Sequence, residues 1–270
     1  MSITHIFTVG ASLIINASRA PNIPDNLKNL FSTWIKRVPG TEEDKKTAAE
    51  FIGQKNKIVP HLYQLLKGNP RRYSAELNAY LGLVEKYPEF KADRVILYPT
   101  ATGIGKVAST LLEQYLKDEQ KIKEVEIIDV RRFGLGPDYF DEAILETLDK
   151  LCSRIKRLKE AGDRVFLNLT GGFKPEVSVA LIAAALFEVD LAYYIYEVFN
   201  EVVVLPLLPL KVKESTIKQI SEAFKGRFVA PISDIPEELF DDLKSRGLIL
   251  VDEEHDSVKL REWVKKIIST

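Results

Sequence analysis

RVFLNLTGGFKPEVSVALIAAALFEVDLAYYIY, residues 164–196, contains two short apolar runs separated by a longer one with helical spacing. Arg164–Leu169 reads as a strand, Lys174–Phe187 as a helix and Leu191–Tyr196 as a second strand. Two strands joined through a helix run parallel, because a parallel pair needs a crossover connection. The helix is apolar nearly all round, which predicts burial on more than one side. A packed subunit interface would explain such a helix.

The same unit occurs upstream. Arg94–Tyr98 is a strand, Gly103–Leu116 a helix and Val125–Val130 a strand. Within that helix Ile104, Val107, Ala108, Leu111, Leu112 and Tyr115 repeat at helical spacing. Ile3–Val9 reads as an opening strand, followed by helical segments at about 24–37, 42–53 and 74–86. Thr41 before Glu42, Glu43 and Asp44 makes a good helix start, a hydroxyl cap with acids facing the helix dipole. A long helix runs from about Tyr139 to Ala161, and Val202–Leu205 is a further strand. Strands alternating with helices predict an α/β fold: a Rossmann-like, mainly parallel sheet with helices on both faces.

The segment LPLLPL, 205–210, marks a domain boundary, giving 1–210 and 211–270. Beyond it lie a helix near 214–224, a helix at Pro236–Arg246, a hairpin pairing Leu248–Val251 with Ser257–Leu260, and a last helix at Arg261–Ile268. Helix, helix, hairpin is the order of a winged helix-turn-helix.

Composition narrows the function classes. The 270 residues are 46% hydrophobic and 29% charged, the profile of a globular protein with a substantial core. A net charge of −1 gives no overall basic character for long nucleic-acid polymers, though a local basic pocket remains open. Cys152 is the only cysteine, so no internal disulfide forms, and a reducing, cytoplasmic compartment fits. The N-terminus lacks the pattern of a signal peptide, and Val179–Leu186 is too short to span a membrane. His5, His61 and His255 are dispersed, so no metal cluster or histidine-based triad can be argued, and no cofactor is called for.

In an open parallel sheet, ligands bind beyond the carboxyl ends of the strands. Three such loops are unusual. Gly10-Ala11-Ser12 follows the first strand; small residues let a ligand approach the backbone and Ser12 adds a hydroxyl, though a tight turn accounts for it equally. Thr100-Ala101-Thr102-Gly103-Ile104-Gly105-Lys106 opens a helix, where amides at Thr102, Gly103 and Gly105 suit phosphate oxygens, or simply cap the helix. Its glycines are too close for a Walker A loop, and Val107 follows the lysine. The third, Thr170-Gly171-Gly172-Phe173-Lys174-Pro175-Glu176, is the sharpest. Two glycines permit positive φ and expose amides, and Lys174 sits where the helix dipole disfavours a cation unless an anion lies between them. Arg131-Arg132 follows a strand and could add a cation, Arg132 being the better candidate; Tyr139 could stack on a base or merely begin a helix.

The Gly-Ala-Ser loop, the strand–Thr-Gly-Gly-Phe-Lys-Pro-Glu–helix segment and the winged-helix tail together resemble the CRISPR-associated Rossmann fold (CARF) proteins, and among them the standalone ring nucleases. The likeness covers roughly residues 1–210. It implies a homodimer that binds a cyclic oligoadenylate, typically cyclic tetra-adenylate, across a two-fold interface. It further implies cutting of the ring without a metal, which switches off antiviral signalling in type III CRISPR systems. By motif, the family's active-site serine corresponds to Ser12 and its lysine to Lys174. Related effector ribonucleases carry an Arg-x4-6-His motif; His255 lies nine residues after Arg246, and His61 lies further still from Arg37. The rival reading is a non-catalytic transcription regulator that senses the ring and binds DNA through the winged helix. Glu237, Glu238, Asp241 and Asp242 make its candidate recognition helix a poor surface for phosphates.

Overall fold

The computed structural model describes residues 2–130, 140–196 and 201–268. In chain order its strands are β1 (Ile3–Val9), β2 (Arg94–Pro99), β3 (Glu124–Ile127), β4 (Arg164–Asn168), β5 (Leu191–Tyr196), β6 (Glu201–Leu205), β7 (Val229–Pro231), β8 (Ile249–Asp252) and β9 (Ser257–Leu260). Its helices are α1 (Ser12–Ser18), α2 (Asp25–Lys36), α3 (Glu42–Gly53), α4 (Lys55–Gly68), α5 (Pro70–Tyr73), α6 (Ala75–Lys86), α7 (Gly103–Asp118), α8 (Phe140–Glu160), α9 (Lys174–Leu186), α10 (Glu214–Ala223), α11 (Glu237–Ser245) and α12 (Glu262–Ile268).

The first six strands form one sheet in the order β3-β2-β1-β4-β5-β6. All neighbours are parallel except β6, which returns antiparallel to β5. This is the mixed α/β, mostly parallel, Rossmann-like arrangement that the two strand–helix–strand units predict. Period-two alternation divides its strands between two cores. Phe7, Val9, Val95 and Leu97 face α1, α2, α4 and α7 on one side. Ile6, Ile96, Val165 and Leu167 face α8 and α9 on the other. A smaller cluster joins α6 to β4 and β5 through Ala79, Leu83, Phe166 and Tyr193.

The C-terminal residues gather a cluster of their own around Phe224, Leu243, Val258 and Val264. Its hairpin is antiparallel as expected, and β7 adds a third strand in the order β7-β9-β8. This unit rests on α8: Asp149 accepts the Trp263 N–H at 3.0 Å and pairs with the buried Arg261 at 3.4 Å.

Within the single chain α9 is covered on its inner face only: Ala180, Ala183 and Ala184 are buried, whereas Ile182 is 46% exposed. Lys174, Ser178 and Ile182 are all exposed and follow one another at helical spacing along that outer face. Among the described residues no helix is long and apolar enough to cross a membrane.

Candidate functional site

Strand order reverses between β1 and β4, so the chain leaves these neighbours in opposite directions and a crevice opens beyond their carboxyl ends. The Gly10–Ser12 turn lines one side of it and the Leu169–Phe173 turn the other. They touch: a Cβ on Gly10 would lie 2.8 Å from the Gly172 nitrogen. The loop after β2 stands beside them on the far side of β1, its Thr100 N–H bonded to the Val9 carbonyl at 2.8 Å. The three loops singled out in the sequence therefore share one edge of the sheet.

The second turn is held from several directions. Thr8 Oγ1 donates to the Gly171 carbonyl at 2.5 Å, and Thr170 Oγ1 donates to Asn168 Oδ1 at 2.7 Å while accepting the Ile195 N–H. A side chain on Gly171 would collide with Glu76 and with the Thr8 carbonyl, and Gly172 has φ +94°. Only glycine meets both demands without strain. The N–H groups of Gly171 and Gly172 make no internal hydrogen bond among the described residues, and Lys174 is exposed there without an ion-pair partner. These donors stand together at the start of α9.

Beneath the loops lie three buried carboxyl groups. Asp44 accepts the Gly103 N–H at 2.9 Å and the Gly40 N–H at 3.3 Å. Glu76 accepts the Gly10 N–H at 2.8 Å through Oε1, and the hydroxyls of Ser12 and Ser74 at 2.9 and 2.7 Å through Oε2. Glu176 accepts the Phe173 N–H at 2.8 Å, closing the first turn of α9. Burial pushes the Glu176 carboxyl up to about 7 against the opposing pull of that N–H.

These contacts redistribute the expected ligand set. Thr102 accepts the Gly105 N–H at 3.0 Å, and Thr102, Gly103 and Gly105 are all buried. The start of α7 is thus filled from within by Asp44 and its own cap, where a ligand phosphate was expected. The Gly10 and Phe173 amides and the Thr170 hydroxyl also have internal acceptors. Ser12 is half-buried, and Ala11 is the residue preceding α1. Arg131, Arg132 and Tyr139 lie outside the described residues. Gly172 and Lys174 remain presented, with Ser12 across the crevice, whereas Gly171 is buried.

Asp44, Glu76 and Glu176 were not identified as site residues from the sequence, yet a signal was there. Each is an acid in the first turn of its helix and on that helix's buried stripe: Asp44 with Thr47 and Phe51, Glu76 with Ala79, Tyr80 and Leu83, Glu176 with Ala180 and Ala183. His5 is a core residue bonded to Tyr193 Oη and the Phe90 carbonyl, each at 2.8 Å, and burial holds its imidazole down at about 3. Among the described residues no group of three or more His, Cys, Asp or Glu is placed to hold a metal ion.

A cavity of about 860 Å³ lies elsewhere, between α8 and the face of β8 and β9. Its lining mixes Lys244, Lys259 and Arg261 with Glu142, Asp252 and Glu253, and so favours neither sign of charge.

Residues 71–208 match the family model described as CRISPR-associated protein (Cas_APE2256). That span runs from α5 through β6 and takes in the Thr170–Glu176 turn, Lys174 and Glu76. The chain belongs to this CRISPR-associated family.

Proposed function

We propose that this protein is a ring nuclease: a homodimer that binds cyclic tetra-adenylate at the β1/β4 crevice and cleaves it without a metal to linear di-adenylate. The observation that carries the reading is Lys174, an exposed cation with no ion-pair partner among the described residues, at the start of a helix and beside the unbonded N–H of Gly172. An isolated cation is disfavoured there by about 0.3–1 kcal/mol, and a phosphate bound between it and the amides reverses the sign.

The chemistry asks for positioning and charge stabilisation. A ribose 2′-oxygen attacks the adjacent phosphorus, the bond to the next nucleotide's 5′-oxygen breaks, and a 2′,3′-cyclic phosphate and a 5′-hydroxyl result. Lys174 neutralises charge growing on the non-bridging oxygens, and Ser12 holds the reacting nucleotide in line. A two-fold axis through a second copy supplies the same pair to the opposite side of the ring, which yields two equal halves. Destroying the ring would switch off type III CRISPR antiviral signalling. Residues 1–210 act in this reading as the ligand-binding domain and 211–270 as a winged helix of structural or dimerising role.

Incubation with cyclic tetra-adenylate in EDTA, followed by chromatography, tests the proposal. Conversion to linear di-adenylate by the wild type, and loss of it in Lys174→Ala, is the expected result; an intact ring with the wild type overturns the nuclease reading. The alternative is a sensor that regulates transcription by binding DNA through the C-terminal unit. Glu237, Glu238, Asp241 and Asp242 are all exposed on α11, and Asp242 pairs with Arg246 at 2.9 Å. That surface repels a phosphate backbone. Ligand-dependent retardation of DNA in a gel would favour the regulator.

A further inference from the structure

The hydrogen of the Ser12 hydroxyl is already committed. Ser12 Oγ accepts the Ala75 N–H at 3.1 Å and donates to Glu76 Oε2 at 2.9 Å. Ser74 repeats the pattern, accepting the Leu77 N–H at 3.1 Å and donating to the same oxygen at 2.7 Å. Glu76 is 1% exposed, and its other oxygen is fixed by the Gly10 N–H at 2.8 Å. Its backbone carbonyl accepts Asn168 Nδ2 at 2.8 Å, which ties the start of α6 to the end of β4. The carboxyl group therefore faces three donors in a fixed arrangement, and neither serine hydroxyl is free to turn its hydrogen elsewhere.

A hydroxyl has one hydrogen and two lone pairs. At Ser12 the hydrogen and one lone pair are in use, so what remains for a ligand is a single lone pair, enriched in charge by the bond to Glu76. Such a group accepts; it does not donate. A phosphate oxygen, which only accepts, gains nothing there, whereas a ligand hydroxyl does.

We propose that Glu76 is a positioning residue that sets the polarity of Ser12, so that this side of the crevice recognises a ribose 2′-hydroxyl rather than a phosphate oxygen. The inference rests on the cyclic oligoadenylate reading above and sharpens the role of Ser12 within it. Discrimination between ribose and deoxyribose then resides in a buried carboxyl group that never touches the ligand.

The test compares three rings, cyclic tetra-adenylate and its all-2′-deoxy and all-2′-O-methyl counterparts, titrated calorimetrically into Lys174→Ala protein so that no ring is consumed. With Glu76 in place the ribose ring should bind about tenfold more tightly, the worth of one well-made hydrogen bond to a polarised acceptor. Glu76→Gln is close to isosteric. The Gly10 N–H keeps the amide oxygen on its side, so the new NH2 group faces Ser12, whose hydrogen turns outward. A 2′-hydroxyl also accepts, so the reversal is read with the 2′-O-methyl ring, which only accepts: it should bind no better than the deoxy ring with Glu76 in place and gain several-fold in Glu76→Gln. Should thermal unfolding show that Glu76→Gln does not fold, Ser12→Ala carries the test, and there the tenfold preference for the ribose ring should collapse toward one. Equal binding of the ribose and deoxy rings with Glu76 present, an unchanged ratio in folded Ser12→Ala, or no gain of the 2′-O-methyl ring in folded Glu76→Gln overturns the inference and leaves the functional reading standing. Binding of no ring, by this variant and by the wild type alike, overturns both.

Discussion

Lys174 shows how a single residue separates stability from chemistry. Its side chain is exposed and has no ion-pair partner among the described residues, and its position opposes the dipole of α9, so the fold gains nothing there from its charge. Lys174→Ala should leave the melting temperature unchanged or slightly raised while ring cleavage falls by roughly 10²–10³ in kcat, the scale of removing one charge-stabilising donor. A comparable fall in stability would place the lysine in the structure instead. Glu176 beside it behaves oppositely. Its carboxyl ionises near 7 in the folded protein against 4.5 as the reference value, so the native state holds the extra proton in between. Stability is then fully present below about 4.5 and is lost as pH rises through about 7. His5 has the reverse sign, with a folded value of about 3 against 6.5, so stability rises with pH across that interval. The two slopes oppose each other between about 4.5 and 6.5. Glu176→Gln keeps an acceptor for the Phe173 N–H but removes one slope. Its melting temperature should therefore climb more steeply than that of the wild type from pH 4.5 to 6.5, and parallel curves would show that Glu176 does not titrate there.

Among the elements, the helices α3, α6 and α9 share a device: each begins with an acid that turns inward to hold a backbone N–H of a strand-end loop. The consequence is clearest for α7, whose first amide belongs to Asp44, 59 residues earlier in the chain. Asp44→Ala leaves the Gly103 and Gly40 N–H groups buried without an acceptor and should cost about 1–3 kcal/mol in urea unfolding. A loss within 0.5 kcal/mol would mean that water replaces the carboxyl group. The device also explains what the sequence made legible. The apolar periodicities of β1, β2, β4, β5 and α6–α9 are strong and local, and each was readable to within a few residues. α4 was not, because Pro60 interrupts its pattern although the helix runs through it. β7 spans three residues and exists only through its pairing with β9, which no local pattern encodes. The loops of the candidate site could be named because glycine, serine and threonine after strands are unusual. Asp44 and Glu76 reach these loops from helices 59 and 66 residues away in the chain, and spacing alone does not reveal which acid reaches which amide.

For the whole molecule, one surface that fits a partner is the outer stripe of α9. A helix with this much apolar character normally buries all of its faces, yet Ile182 stands 46% exposed, in register with Ser178 and Lys174. The stripe therefore has the candidate catalytic lysine at one end and an uncovered aliphatic side chain two turns further on. In the proposed homodimer a two-fold axis beside this stripe covers Ile182 with its own copy and brings both Lys174 side chains to one ligand. An isologous contact is unusually sensitive to charge, since one substitution places two like charges face to face. Ile182→Glu should shift the protein from dimer to monomer by light scattering at micromolar concentration without lowering the melting temperature of the subunit, because the side chain lies outside all the buried clusters. If the ring requires both subunits, cleavage should disappear together with the dimer although Lys174 and Ser12 are untouched. A monomeric variant that still cleaves would assign the whole reaction to one crevice and remove the need for the axis.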